Sequence, residues 1–290
     1  MRTLRSIVIG IDFSDTSRVA LEHAVRIAGW SGAALHAVHI VDTGDYPIPT
    51  AHLTDLQRGI RAGLREETLQ QWSSFARGVP GGDDLPLDVD FGSRFGGIYQ
   101  RVVEQRADLL VLGAVGQARP NVGLGTLASG CIRGAPADVL VVRDDFRGPF
   151  RTVVVGVDFS PTSRRALEAA GMLAANEAAT LRAVFVAPAG RDAEMLPPPE
   201  VEQDLELFTR AATDAWPGLD VRCDVYPHKG HRSGILEFAT LVHGDIVVIG
   251  TRGRTNLRDV MLGSTAEKVL RDSLIAVWAC KPAEVASGQA

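Results

Sequence analysis

The chain of 290 residues carries one sequence pattern twice. Residues 5–20 read RSIVIGIDFSDTSRVA, and residues 151–166 read RTVVVGVDFSPTSRRA. A second match joins residues 108–113, DLLVLG, with residues 245–250, DIVVIG. The offset is 146 residues for the first match and 137 for the second, so the first half holds nine more residues between the matched points. A duplication of this length predicts two like domains rather than a solenoid of many short repeats.

The joint between the two halves is predicted at a short polar segment with turn residues, 144–149. We therefore expect a first domain over residues 1–146, a second over 150–282 and a flexible tail over 283–290. Because so short a joint leaves little freedom, we expect the halves to pack on each other as a pseudo-dimer.

Within each half, short Val/Ile/Leu runs alternate with helical patterns. Continuous apolar strands separated by helices predict an α/β fold whose parallel sheet is buried on both faces. Ligands of such sheets bind at the carboxyl ends of the strands. The predicted strands are Ile7–Ile11, Leu35–Val41, Leu87–Phe91, Leu109–Leu112, Val139–Val142 and, in the second half, residues near 153–157, 181–187, 219–225, 246–249 and 275–279. The predicted helices are Thr16–Trp30, 54–77, Ile98–Gln105, Thr126–Arg133, 162–176, 200–215, 234–242 and 264–272.

Charge and cysteine usage restrict the class of protein. A formal net charge of −5 argues against a general nucleic-acid or membrane-surface binder. No apolar run approaches the roughly 20 residues that span a bilayer, and the N-terminus has no signal-peptide core. The three cysteines form an odd, widely spaced set without a CxxC pair, which is typical of reduced thiols. We therefore expect a cytoplasmic protein.

A glycine-rich stretch follows the fourth strand of the second half. Gly250-Thr251-Arg252-Gly253 is separated by nine residues from Gly263-Ser264-Thr265, where a helix is predicted to begin. Such a loop directs backbone N–H groups and the positive end of a helix dipole toward a phosphate. The alternative is a glycine-rich turn with no ligand. Three arginines of the loop add positive charge: Arg252, Arg254 and Arg258.

An aspartate follows the first strand of each half, Asp12 and Asp158. A carboxylate at this edge can accept hydrogen bonds from a base or ribose, or hold Mg²⁺; the alternative is a local turn cap. Ser14 and Ser160, two residues later, are predicted to cap the following helices, with Pro161 at a first helical position.

The ending G-x-D-F-S of the first strand, together with G-2x-G-9x-G-[ST] after the fourth, resembles the universal stress protein family. The repeat makes the chain similar to a tandem member, and the resemblance covers the chain to about residue 282. It implies two Rossmann-like or flavodoxin-like domains (adenine nucleotide α-hydrolase-like), each with a five-stranded parallel sheet of order 3-2-1-4-5. It also implies ATP, with or without Mg²⁺, across the strand ends. Strands Val139–Val142 and 275–279 would pair, as the last strands do across dimers of the family.

The resemblance also assigns binding positions. In the second half, Asp158 would face the adenosine and the backbone of Val186 would line the adenine pocket. The residues around the ribose and phosphates would be Gly250, Thr251, Arg252, Gly253, Gly263, Ser264 and Thr265. The matching positions in the first half are Asp12, Val41, Gly113, Gly116, Gly125 and Thr126.

The first half departs from the family spacing. Only eight residues separate Gly116 from Gly125, and that loop has one arginine and Pro120, which lacks an N–H donor. We therefore expect weak binding or none in the first half. Histidines 228 and 231 with Cys223 could form part of a zinc site, although loop histidines without a metal are favoured because no further ligand is evident.

No Ser-His-Asp arrangement, GxSxG elbow or P-loop lysine supports catalysis. The sequence thus predicts an ATP-binding sensor or regulator of a stress response, forming at most a further homodimer and binding neither nucleic acid nor membrane. Two alternatives stay open: a pseudo-dimeric interaction scaffold without nucleotide, and a slow ATP-hydrolysing enzyme.

Overall fold

The computed structural model describes residues 3–44, 54–115, 124–143, 146–188, 199–253 and 262–283, without the side chains of 199, 231 and 232. These residues form two compact units, one over Leu4–Ala135 and one from Pro136 onward. In the described parts of the chain, no helix is long and apolar enough to cross a membrane.

The first unit alternates strands and helices as predicted. Its elements are β1 (Ser6–Gly10), α1 (Asp15–Ser31), β2 (Ala34–Asp42), α2 (Asp55–Ala76), β3 (Leu87–Gly92), α3 (Arg94–Glu104), β4 (Leu109–Gly113) and α4 (Thr126–Gly134). The strands lie in the order β3-β2-β1-β4. All three neighbouring pairs in this order are parallel.

The second unit begins with β5 (Asp138–Val142), which follows the first repeat in sequence. Its other elements are β6 (Thr152–Gly156), α5 (Pro161–Glu177), β7 (Thr180–Pro188), α6 (Pro199–Thr213), β8 (Val221–His228), α7 (His231–Leu241), β9 (Ile246–Gly250), α8 (Ser264–Asp272) and β10 (Ala276–Cys280). Strands β8-β7-β6-β9-β10 follow the predicted 3-2-1-4-5 order, and β5 adds to β10. The predicted pairing of β5 with β10 is confirmed: it is antiparallel, with Val277 opposite Val141.

The central strands of each unit are buried on both faces. Consecutive residues Ile7, Val8 and Ile9 of β1 are fully buried, as are Val153, Val154 and Val155 of β6. Because successive side chains of a strand point to opposite faces, this pattern requires helices on both sides. The doubly wound α/β class predicted from the sequence is confirmed.

In both units, an aspartate before the fourth strand of the repeat accepts hydrogen bonds from two successive backbone N–H groups. Asp108 Oδ2 accepts hydrogen bonds from the backbone N–H groups of Arg5, at 2.7 Å, and Ser6, at 3.2 Å. Asp245 Oδ2 does the same for Arg151, at 2.6 Å, and Thr152, at 2.9 Å. The carboxylate before the fourth strand therefore holds the start of the first strand in each repeat.

Several element boundaries differ from the prediction, and two of these differences have a local physical reason. Helix α3 begins at Arg94 rather than Ile98, because Ser93 caps it by accepting from Gly96 N. Strand β8 continues through Pro227 to His228. It lies at the sheet edge, where a proline without an N–H is tolerated.

Candidate functional site

Each first strand ends in the same aspartate-centred turn. Asp158 Oδ1 accepts from Ser160 N at 3.0 Å, and Asp12 Oδ1 accepts from Ser14 N at 3.0 Å. Ser14 and Ser160 cap α1 and α5, as predicted, and Pro161 occupies the first turn of α5. One carboxylate oxygen thus serves the turn. Each aspartate can therefore hold the turn through Oδ1 and still bind a ligand through Oδ2.

The turn depends on a phenylalanine that the sequence reasoning missed. Phe13 and Phe159 both have φ of 62°, in the left-handed region that a bulky side chain rarely adopts. Each ring is held by neighbours: Phe159 packs on Phe185 and Phe208, with centroids 5.3 and 5.4 Å apart. The repeated D-F-S was the available signal. Backbone strain of this kind, kept identical in both repeats, marks a position that must direct the preceding aspartate.

The structure brings Asp158 next to the loop that follows β9. A Cβ built on Gly253 would lie 2.9 Å from Asp158 Oδ2. A side chain at this position would therefore displace the Asp158 carboxylate. The second glycine of the predicted loop and the aspartate after β6 adjoin at the carboxyl edge of the sheet.

Helix α8 begins at the far end of the same loop. Gly263 is its N-cap residue, and its N–H donates to Thr251 O at 2.8 Å. Because a glycine N-cap has no side chain, it cannot occupy the N–H groups of the first turn. Ser264 at that turn is exposed and Thr265 is half-buried. The beginning of α8 can therefore present backbone donors to an anion.

Two of the predicted loop residues hold the loop in place. A Cβ on Gly250 would lie 3.0 Å from the carbonyl carbon of Thr162, so glycine lets α5 approach the strand end. The Thr251 hydroxyl donates to Cys280 O at 3.0 Å, and its N–H donates to the same oxygen at 2.9 Å. Thr251 is buried and anchors the loop to β10. The close packing at Gly250 and the hydrogen bonds of Thr251 thus explain both residues without a ligand.

The first repeat has the same frame around a different loop. A Cβ on Gly113 would lie 3.0 Å from the carbonyl carbon of Thr16, and Gly125 N donates to Ala114 O at 2.8 Å. Gly125 is the N-cap of α4, which begins at Thr126. Ala114 occupies the position of Thr251, and Val115 that of the half-buried Arg252. The positive charge of Arg252 therefore has no counterpart at the aligned position of the first repeat, Val115.

Three predicted loop residues, Gly116, Arg254 and Arg258, lie outside the described residues. Strand register separates the two predicted valines. Gly10 pairs with Val38 and Gly156 with Val184, so the counterpart of Val186 is Ile40 and that of Val41 is Ala187. Val186 is buried against α7, where a Cβ on Gly234 would meet its Cγ1 at 2.6 Å. The backbone of Val186, rather than its side chain, is placed to contact a ligand. Val41 lies one residue beyond Ile40, the position equivalent to Val186.

His228 is engaged within its own unit. Its Nδ1 accepts from Gly230 N at 2.9 Å, and its Nε2 lies 3.1 Å from Glu237 Oε2. Tyr226 donates its hydroxyl to Glu237 Oε1 at 2.6 Å, which raises the pKa of Tyr226 and lowers that of Glu237. The sequence favoured an exposed loop histidine, whereas His228 is half-buried at the end of β8 and lies against this carboxylate. Among the side chains that the structure describes, no three His, Cys, Asp or Glu residues are grouped to hold a metal ion.

His39 of the first unit is a half-buried histidine next to the Asp12 turn. Its Nδ1–H donates to Ile11 O at 2.8 Å, and its ring packs on Phe13 with centroids 4.9 Å apart. Burial lowers the pKa of His39 from 6.5, against the opposing effects of the Ile11 bond and the Asp12 charge. The folded protein therefore favours the neutral imidazole.

Replacing His39 by phenylalanine, the residue found at the equivalent position 185, is expected to flatten the pH dependence of stability. Because the folded-state pKa is depressed, the stability contribution is full above pH 6.5 and is lost as the pH falls toward the folded-state value. Urea unfolding at pH 7.5 and pH 5.5 measures this. The wild type should lose more stability than His39→Phe between the two values, and equal losses would contradict the assignment.

The fold and the site define a duplicated, doubly wound α/β protein with a glycine-rich loop and an aspartate at the carboxyl edge of its sheet. The universal stress protein family model matches residues 3–143 and 149–281. The chain belongs to the universal stress protein family and carries its domain twice, as the sequence predicted.

Relatives and solved structures agree with this assignment. A Staphylococcus aureus (strain USA300) protein named as a universal stress protein is 29% identical over 150 residues, covering 50% of this chain and 87% of that protein. The structure of a universal stress protein from Archaeoglobus fulgidus aligns with a TM-score of 0.71 at 19% identity, covering 95% of this chain and 98% of that one. A Pseudomonas aeruginosa UCBPP-PA14 protein, also named as a universal stress protein, aligns at 0.62 and 18%, covering 99% and 96%. At such identities the structural matches show the fold.

Proposed function

We propose that this protein binds an adenine nucleotide, ATP, in its second domain and acts as a sensor or regulator of a stress response. The observation that carries the proposal is the closeness of Asp158 Oδ2 to Gly253, where an added Cβ would lie 2.9 Å from that oxygen, on the loop that ends at the Gly263 cap. In this arrangement the carboxylate accepts from the adenosine portion. The first turn of α8 donates to the phosphates, and Arg252 supplies a charge-assisted contact.

The site is proposed to bind rather than to catalyse, and no residue is assigned a catalytic role. Mg²⁺ would enter with the phosphates of ATP rather than through a protein site of its own. Ligand binding then stabilises the folded protein against unfolding, by about 2.7 kcal/mol at a ligand concentration of 100 Kd. We place this activity in the cytoplasm, with domains over 1–146 and 150–282.

The second domain is the preferred site because its loop retains the family spacing and Arg252. The first repeat has Val115 at that position and a loop one residue shorter, with Pro120 in it. Since the described frames of the two loops are alike, the difference in affinity is assigned to the loop contents.

The two aspartates give a matched test of this proposal. Asp158→Ala should remove the rise in melting temperature that Mg-ATP causes in the wild type, whereas Asp12→Ala should keep most of it. Both substitutions lose the same 3.0 Å turn bond from a serine N–H, and Asp12→Ala also loses the 2.5 Å bond that the Ser14 hydroxyl donates. Differential scanning fluorimetry with and without Mg-ATP measures the effect. Equal losses would refute the asymmetry, and no shift in the wild type would favour the scaffold alternative.

A further inference from the structure

The first half of helix α2 projects from its unit. None of residues 55–67 is buried, and the first buried side chain of the helix is Thr68. Arg61 marks the side of this half that faces the unit, because its guanidinium carbon lies 5.0 Å from the centroid of the Phe91 ring. A stretch of helix this short depends on packing for its stability. A contact on another side of the helix would therefore stabilise it.

The second unit shows that this projection is no requirement of the fold. Phe75 of α2 packs on Phe13, with ring centroids 5.4 Å apart. Phe208 of α6 packs on Phe159 at the same distance, so the two helices have equivalent places beside the aspartate turns. Helix α2 begins 20 residues before its phenylalanine, whereas α6 begins nine residues before its own. Of these two helices, α2 alone has the additional turns.

The projecting half carries an apolar stripe. Leu56, Ile60 and Leu64 are spaced four residues apart and share one face of the helix. Their exposed fractions are 74%, 54% and 38%. Contiguous apolar surface of this kind marks interaction sites, whereas single exposed apolar residues are common and need no explanation. We call these three residues the α2 stripe.

Two glycines border the α2 stripe on one side. Gly59 and Gly63 directly precede Ile60 and Leu64. Glycine is, after proline, the least favourable residue in a helix interior. Among the residues that the structure describes, and apart from the adjoining helix backbone and the chain neighbours, no atom lies within 4 Å of a Cβ built on either glycine. Packing inside the chain therefore does not require these glycines, but they would let a second helix approach closely.

We propose that the α2 stripe binds the same stripe of a second copy of this chain, with the two helices antiparallel. The stripe consists of leucine, isoleucine and leucine at equal intervals, so it reads the same in both directions. A twofold axis at Ile60 therefore places each leucine opposite a leucine and the two isoleucines opposite each other. Such self-complementarity is what a symmetric dimer interface requires.

The charges of the projecting half permit this pairing. Residues 55–67 hold three arginines and three acidic residues, so two copies meet without net charge. Because each copy contributes few side chains, the interface falls in the small class below about 1,200 Å², and we expect a reversible dimer. The proposal does not depend on nucleotide binding by the second domain.

Sedimentation velocity of the full chain at increasing protein concentration tests the interface. The wild type should shift reversibly from monomer to dimer. Ile60→Glu should weaken the dimer by about tenfold or more, because the twofold axis brings two like charges together.

Two leucines of the same helix give a matched comparison. Leu64 and Leu69 are 38% and 39% exposed, but a separation of five residues places Leu69 on another face. Leu64→Glu should weaken the dimer as Ile60→Glu does. Leu69→Glu introduces the same charge away from the α2 stripe and should change the dimer affinity by less than about twofold.

An equal mixture of Ile60→Glu and Ile60→Lys tests the twofold axis itself. Opposite charges then meet at the axis, so the mixture should form more dimer than either variant alone. Far-UV circular dichroism of each variant checks that these exposed substitutions leave the fold intact. A dimer that Ile60→Glu leaves unchanged, equal weakening by Leu64→Glu and Leu69→Glu, or a mixture no better than its components would overturn the proposal. A wild type that stays monomeric would overturn it in favour of a partner other than a second copy.

Discussion

Replacing Asp138 by alanine is expected to destabilise the second unit by about 3–5 kcal/mol, the range for removing one partner of a buried ionic network. Asp138 is fully buried at the start of β5. It accepts from the Trp278 indole N–H at 3.1 Å and from Lys281 N at 3.0 Å, and a guanidinium nitrogen of Arg165 lies 3.9 Å away. Without the carboxylate, two buried donors lose their acceptor.

Urea unfolding followed by circular dichroism checks this prediction. Asp138→Asn retains an oxygen acceptor and should cost less than Asp138→Ala. Asp272→Ala, which removes an exposed carboxylate paired with Lys268, should move the unfolding midpoint far less. Equal midpoints for Asp138→Ala and Asp272→Ala would mean that the network does not hold β5 to β10.

The second large effect concerns the nucleotide. Gly263→Val should weaken ATP binding by about 100-fold or more, or roughly 2.7 kcal/mol. A Cβ at Gly263 would lie 3.2 Å from Thr251 O, and a branched side chain would stand over the first turn of α8, where the phosphates are proposed to bind.

Gly125→Val is the matched control for that substitution. A Cβ at Gly125 would also lie 3.2 Å from a carbonyl oxygen, that of Ala114, so the steric cost is the same. ATP affinity should stay within about threefold of the wild type, a change below about 0.7 kcal/mol. Fluorescence titration with an ATP analogue compares the two variants. A comparable loss in both would place nucleotide in the first domain as well.

The sequence predicted most of the fold because its signals were local and repeated. The apolar runs of β1 and β6, the caps at Ser14 and Ser160 and the pairing of the last strands were all confirmed. The sequence did not predict that β5 belongs to the second compact unit. This membership depends on which strands β5 packs with, and a local sequence pattern does not indicate that.

The positions of the candidate site could be predicted from the sequence, but the packing that explains its glycines could not. Glycine spacing located the loop, but only three-dimensional packing shows that Gly250 makes room for Thr162 and Gly253 for Asp158. The left-handed Phe159 was missed because aromatic residues rarely adopt that conformation and nothing in their chemistry signals it. The stacking of Arg61 on Phe91 was missed because α2 and β3 meet only in the folded unit.

Native mass spectrometry of the wild-type chain with ATP counts the nucleotides that each chain binds. We expect one tightly bound adenine nucleotide per chain, because only the loop of Gly250–Thr265 keeps the family spacing and Arg252. Two nucleotides of equal affinity per chain, or none at ATP concentrations that saturate ordinary nucleotide sites, would contradict it.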